Sequence, residues 1–181
     1  MTSPEQKAMM DGIRAASERI KSGASREEEI RLPDGEVVRL SRDEEAPEGF
    51  SIESSKGGRS FSARAFGPLS QRPSSYPPDL PFIPHCAVSI SVIRKADGTE
   101  EARNAAWMRP VDPEATLEVI ARQLRDMGWE QGESTSAATP AGDARTLLFE
   151  KDGSERAVTL MHFGENSQIM LFEKPRKEDF H

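Results

Sequence analysis

The only cysteine of the chain directly follows a histidine, and this pair, His85 and Cys86, is the first candidate for chemistry. A histidine can deprotonate a thiol and turn it into a nucleophile. Neighbouring residues of a strand point to opposite faces, however, so these two side chains cannot pair with each other. Cys86 shares its parity with Val88 and Ile90, which predicts a buried thiol that serves as a small core side chain. The other interpretation is a dyad between Cys86 and the distant His162.

Other chemical motifs are incomplete. The three histidines lack the His-x-x-x-His and Cys-x-x-Cys spacings of zinc sites. The acidic runs at 27–29 and 43–45 lack the pattern of a calcium loop. The segment "KGGRS" at 56–60 has the glycines of a phosphate-binding loop, but strand-like runs flank it on both sides. The sequence therefore predicts no catalytic, cofactor-binding or metal-binding residue, and it favours a protein without enzymatic activity.

Composition narrows the classes of partner. The chain has 181 residues, with 24 basic and 31 acidic side chains and a net charge of −7. A negative field repels phosphates, which argues against nucleic acid and anionic membranes as partners. No run approaches the roughly 20 apolar residues that span a bilayer. The N-terminus lacks the basic segment and apolar run of a signal peptide, so the predicted location is cytoplasmic, or exported if an export signal has been removed.

A basic, proline-rich segment stands out in this acidic chain. Residues 56–78 contain no acidic side chain but four basic ones, and the prolines at 68, 73, 77, 78, 81 and 84 favour a stiff extended conformation. One interpretation is an extended arm that another protein binds, and residues 67–78 are a better candidate for this arm than residues 80–84. The alternative is a connection whose apolar residues, at 80–84, pack into the protein's own core. The candidate partner-binding residues are Arg64, Arg72, Tyr76, Pro77, Pro78, Leu80, Phe82 and Trp107.

Trp107 joins that set because of its neighbours. On a strand at 100–108 it alternates with Ala106, and Arg109 lies close to it. If the small residues face the helix, Trp107 lies on the opposite face, where aromatic and arginine side chains are typical of binding hot spots. Cover by the N-terminal half is the equally open alternative.

The elements that must position these residues begin with a helix. Ser3 and Gln6 form a capping-box pattern, apolar residues recur at helical spacing, and Gly23 marks the stop. Asp-Gly pairs at 34–35, 97–98 and 152–153, and Gly-Gly at 57–58, then separate strand-like runs, which predicts tight hairpins. A second helix is predicted over 113–127, followed by a polar loop, "EQGESTSAATPAGDA", and three strands near 145–151, 156–163 and 168–174.

These patterns predict an α+β fold with a hairpin-rich antiparallel sheet. An N-terminal helix with two hairpins (1–66) precedes a proline-rich connector (67–84), a β-β-α-β-β-β domain with its helix on one face (85–174) and a charged tail (175–181). All of it can also form one compact domain. The last strand, "SQIMLFEK", is apolar on both faces and needs two covers. One is the second helix, and the other is the N-terminal portion or a second protein molecule.

The proline-rich "YPPDLPFIP", followed by a strand, a hairpin and a helix that ends in "DMGW", resembles small uncharacterised bacterial α+β proteins with a similar lead-in. The resemblance covers residues 76–174 and implies no activity. The function predicted from the sequence is a non-catalytic accessory or adaptor subunit that binds another protein or itself. The alternatives are a small-molecule-binding protein or enzyme with a pocket between the sheet and the N-terminal segment, and an immunity protein or effector chaperone.

Overall fold

The computed structural model describes residues 3–42, 50–140 and 142–174. Two helices, α1 (Pro4–Lys21) and α2 (Pro113–Asp126), accompany a ten-stranded sheet. The strands are β1 (Glu27–Arg31), β2 (Val37–Arg42), β3 (Phe50–Lys56), β4 (Arg59–Phe66), β5 (Ala87–Arg94), β6 (Glu100–Met108), β7 (Glu130–Thr139), β8 (Gly142–Lys151), β9 (Ser154–Phe163) and β10 (Asn166–Lys174). The predicted class, a mixed α+β fold around an antiparallel sheet, is confirmed. The predicted tail at 175–181 lies outside the described residues.

Local sequence explains where α1 begins and what it packs on. The Ser3 hydroxyl accepts a hydrogen bond from the Gln6 amide at 3.1 Å, and the Gln6 side chain accepts one from the Ser3 amide at 3.0 Å. Ala16 and Ile20 are buried on one side of the helix. They pack against Val38 and Leu40 of β2 and form a small hydrophobic core. The capping box that the sequence predicts is therefore present.

The strand order is β1-β2-β3-β4-β5-β6-β10-β9-β8-β7, and every neighbouring pair is antiparallel. Tight reversals link the strands at the predicted Asp-Gly and Gly-Gly pairs. At Asp152-Gly153 both residues have positive φ, as a two-residue loop requires. At Asp34-Gly35 only the glycine does, and its amide donates to the Leu32 carbonyl at 3.0 Å, so that loop is longer than two residues.

The segment predicted as a polar loop after α2 is strand instead. Residues 130–139 form β7, and β8 begins at Gly142, so the C-terminal order is β-β-α-β-β-β-β. All ten positions of β7 are exposed, because β7 is the last strand of the sheet and α2 contacts it without burying any of its residues. A strand exposed on both faces carries no apolar alternation, and its backbone pairing with β8 and a hydrogen bond from Arg125 of α2 to Gln131 hold it in place. The sequence pattern therefore gave no sign of it.

The two helices lie on opposite faces of the continuous sheet. Paired residues of neighbouring strands lie on the same face of the sheet. Leu40 packs beside α1, and the successive cross-strand partners on its face are Ile52, Ala63, Ser91 and Asn104. The core under α2 is built from the other face of the sheet. It includes Phe66, Val88, Trp107, Leu147, Phe149, Leu160, Ile169 and Leu171. The N-terminal hairpins extend the sheet beside β5 rather than covering its second face, and the domain boundaries stay a prediction.

Candidate functional site

The side of β4, β5, β6, β10, β9 and β8 that points away from α2 is called the open face here. No described element packs on it, since α1 covers only β1, β2 and β3 on that side. Large apolar side chains protrude from it: Phe172 is 46% exposed, Met108 45% and Leu148 43%. Large exposed apolar patches mark interaction sites in folded proteins. The apolar residues on both faces of the last strand therefore indicated this surface. They did not indicate that the N-terminal portion would leave it uncovered.

The centre of the open face is uncharged. Across its middle, cross-strand pairing aligns one row of six side chains, Ala63, Ser91, Asn104, Phe172, Ala157 and Leu148. The charged residues of this side lie at one end of the sheet, among them Arg59, Glu150, Glu155 and Lys174. Within the face, the hydroxyls of Thr146 and Thr159 hydrogen-bond across β8 and β9 at 2.9 Å. Partner binding here would remove few charges from water.

One polar group of the open face is unsatisfied. The side-chain oxygen of Asn104 is buried and has no hydrogen-bond partner among the described residues. A buried polar atom without a partner costs stability, so such atoms are rare in folded chains. Asn104 lies in the middle of the row, between Ser91 and Phe172.

The opposite side of the N-terminal hairpins forms a concave surface, the serine–arginine trough. This cavity of about 620 Å³ is lined by Ser41, Ser51 and Ser62 and by four arginines, but by only one carboxylate, that of Glu53. Ser75 and Pro77 of the connector close one end of it. The arginines are Arg42, Arg64, Arg94 and Arg103. Arginine guanidinium groups recognise carboxylates and phosphates through paired hydrogen bonds. Two of the four, Arg94 and Arg103, also pair with carboxylates outside the lining, which neutralise part of the positive charge of the trough.

The trough arginines already have local contacts. Arg64 donates to the Ser75 carbonyl at 3.1 Å, and Arg94 lies 3.4 Å from the Glu100 carboxylate. Arg103 donates to Glu100 at 2.8 Å and also to Asp79. Burial lowers the pKa of Arg103, but the hydrogen bond to Glu100 and the charge of Asp79 outweigh it, so its pKa lies above the ordinary value. These contacts orient the guanidinium groups before any ligand arrives.

A fifth arginine, Arg156, is outside the trough lining and is buried, with only 1% of its surface exposed. It donates to the Asp79 carbonyl at 2.8 Å and to Glu173 at 3.1 Å. Its guanidinium lies 4.2 Å from the ring centre of Trp129. Asp79 belongs to the connector and Glu173 to β10, so this buried charge joins the connector to the sheet. The cluster is structural, because its groups bond to one another within the protein.

Three of the predicted partner-binding side chains lie in the hydrophobic core. Tyr76 is 2% exposed, Leu80 is fully buried and Trp107 is 1% exposed, all of them under α2. Tyr76 packs against Phe66 and Phe82 with ring centres 5.3 and 5.4 Å apart, and its hydroxyl donates to the Pro81 carbonyl. Partner binding through Tyr76, Leu80 or Trp107 would require them to leave the core. Residues 76–82 are part of this protein's own packing.

The remaining candidates lie at or near the surface. Arg72 donates to the carbonyls of Pro78 and Leu80 and lies over the Tyr76 ring, so it braces the connector. Phe82 is half-buried, and its backbone amide and carbonyl both bond to the Gln123 side chain of α2 at 2.9 Å. Pro77 lines the trough together with Arg64, and Pro78 is exposed. The structure therefore does not bring the eight residues together as one surface.

Trp107 faces α2, contrary to the arrangement in which the small residues of its strand face the helix. Ala105 and Trp107 are buried under α2, whereas Ala106 belongs to the open face. The large indole group of Trp107 fills the core under α2, and the small residues of β6 lie on the open face. The sequence showed which residues of β6 share a face. It did not show which of the two faces α2 covers.

The thiol of Cys86 is 7% exposed and belongs to the core under α2. It contacts the carbonyl oxygens of Met108 and Ala87 at 3.5 and 3.6 Å. Burial raises the pKa of Cys86, so the thiol stays protonated at neutral pH. His85 precedes it with a φ of 60° and an exposed side chain. The predicted inward orientation of Cys86 is present in the structure.

Comparison with known proteins adds no assignment. No protein-family model matches the chain, and no match was found among curated proteins or solved structures. The resemblance of residues 76–174 to bacterial α+β proteins therefore rests on sequence pattern alone. Within the described residues, no group of three His, Cys, Asp or Glu side chains is placed to hold a metal ion. Neither described helix is long and apolar enough to cross a membrane.

Proposed function

We propose that the protein is a non-catalytic binding module, an accessory or adaptor subunit, that engages another protein molecule through the open face. The observation that carries this proposal is the set of exposed apolar side chains, those of Phe172, Met108 and Leu148, on a sheet whose other face is packed by α2. A sheet with apolar residues on both sides is most stable when both sides are covered. Immunity proteins and effector chaperones differ from an adaptor only in the partner, so the same surface serves them too.

Site-specific photo-crosslinking tests this proposal. A photoreactive amino acid placed at Phe172, on the open face, is expected to form adducts with another polypeptide in native lysate. The matched position is Val111, an apolar residue in a loop that is 100% exposed. Adducts that form equally at both positions, or at neither, would contradict binding through the open face.

A second candidate function is the binding of a small anionic molecule in the serine–arginine trough. Its volume of about 620 Å³ lies within the range of about 300–1,000 Å³ that ligand pockets occupy. The four arginines and the serine hydroxyls favour a ligand with carboxylate or phosphate groups. This candidate rests on the trough alone and is independent of the open face.

Titration with citrate and with inorganic phosphate, followed by NMR of the backbone amides, tests the trough. Shifts are expected at Ser41, Ser62 and Arg94, and Arg94→Gln is expected to weaken binding about tenfold, because one charge-assisted hydrogen bond is lost. Arg122→Gln, at an exposed position of α2, serves as the matched control. Equal shifts around arginines throughout the surface would show that the anions bind only through general charge attraction.

A further inference from the structure

We infer that the occupant of the open face is a second copy of this chain, packed face to face against the first as a two-sheet sandwich. The inference rests on the proposed function, because it names the partner of the same surface. A two-fold sandwich covers the open faces of both copies at once, at the spacing of about 10 Å that stacked sheets adopt. Most homo-oligomers have such a two-fold axis.

The size of the open face suits a stable dimer. Its six strands, spaced at about 4.8 Å and about six residues long at about 3.3 Å each, make a surface of about 29 by 20 Å. The accessible area exceeds this flat area of about 570 Å² because the side chains project from it. Stable interfaces bury about 800 Å² on each partner. The flat area is about 230 Å² short of that figure, so the projecting side chains must supply the difference.

The distribution of charge permits face-to-face approach of a second copy, although the net charge opposes association. Two copies with a net charge of −7 each repel one another in most orientations. The middle of the open face has no charged side chain, and the charges at its border include both signs, those of Lys174 and Glu155. Face-to-face approach therefore brings the uncharged parts of the two copies together. No partner with a complementary net charge is needed.

The relief of the open face complements itself. The half formed by β4, β5 and β6 carries small side chains in the two middle rows: Ala63, Ala65, Ser89, Ser91 and Ala106. In the same rows, the half formed by β10, β9 and β8 carries the large side chains of Phe172, Met170 and Leu148 among the smaller ones of Ala157, Thr159 and Thr146. A two-fold axis between the halves places the large side chains of each copy over the small ones of the other. Such reciprocity is what an isologous interface requires.

Sedimentation of the purified full chain between about 1 and 200 µM tests the inference. We expect a dimer that Phe172→Glu weakens at least about 100-fold, because each dimer loses two buried aromatic contacts and would bury two charges. Ser91→Phe fills the small-residue half and is expected to weaken the dimer at least about tenfold. Val111→Glu changes an exposed apolar residue outside the face and is expected to leave the dimer unchanged. Circular dichroism confirms that each variant is folded.

Ser91→Phe distinguishes a specific sandwich from nonspecific hydrophobic association. The added apolar area strengthens nonspecific association, whereas it disrupts the specific interface. A chain that remains monomeric at about 200 µM, or a dimer that Phe172→Glu or Ser91→Phe leaves intact, overturns the second copy as occupant. If crosslinking from position 172 then captures a different polypeptide, the proposed protein-binding function stands. If it captures nothing beyond the Val111 control, the proposed function falls too.

Discussion

Replacing Arg156 with alanine is expected to lower the free energy of unfolding by about 3–5 kcal/mol. The Arg156 side chain is buried, and it links Asp79 of the connector to Glu173 of β10. Removal leaves the Glu173 carboxylate, which is only 17% exposed, without this partner, and it ends the contact with the Trp129 ring. Urea unfolding followed by circular dichroism measures the change.

Two further variants separate charge from packing at this site. Arg122→Ala removes an exposed arginine of α2 and is expected to change stability by less than about 0.5 kcal/mol. The double change Arg156→Met with Glu173→Leu removes both charges and retains most of the volume, so it is expected to recover most of the loss. If Arg156→Ala costs no more than Arg122→Ala, the cluster does not hold the connector to the sheet.

Replacing Trp107 with alanine is expected to lower the free energy of unfolding by about 3–5 kcal/mol, because a buried indole leaves a large cavity. The same change at Phe172, which is 46% exposed, is expected to cost the monomer less than about 1 kcal/mol. Self-association is expected to follow the opposite order: Phe172→Ala weakens it, and folded Trp107→Ala does not. Denaturation well below the dimerisation concentration and sedimentation above it measure the two quantities.

The comparison between these two variants distinguishes core from contact surface. A Trp107→Ala protein with unchanged stability would show that the indole does not support the core under α2. Loss of association in a folded Trp107→Ala protein, with Phe172→Ala unaffected, would place the partner surface on the α2 side. Either result would contradict the assignment of the open face.

The features that local sequence determines could be predicted. The Ser3–Gln6 capping box depends on residues three positions apart, and the reversal at Asp152-Gly153 depends on two adjacent residues that tolerate positive φ. The both-sided apolar pattern at 168–172 depends only on alternation along one strand. These patterns gave the hairpins, the class of the fold and the need for a cover on both sides of the sheet.

The features that depend on distant residues could not be predicted. Strand β7 has no apolar alternation, because an exposed edge strand buries neither face. The trough combines Ser41, Ser62 and Arg103, which come together only through the order of the strands. The burial of Tyr76 and Leu80 depends on the connector folding back over Phe66 toward α2. A proline-rich composition indicates that a segment is stiff, but it does not indicate which part of the protein the segment packs against.

The two cores share no side chain, and the pairing of β3 with β4 joins their strands within the sheet. The core beside α1 is the smaller one, with four buried residues. Sub-global unfolding that detaches β1 to β3 therefore costs less free energy than global unfolding, and amide hydrogens of these strands exchange sooner than those of β4 to β10. Detachment leaves β4 with an unpaired edge, where an extended segment of another chain can add as a new strand.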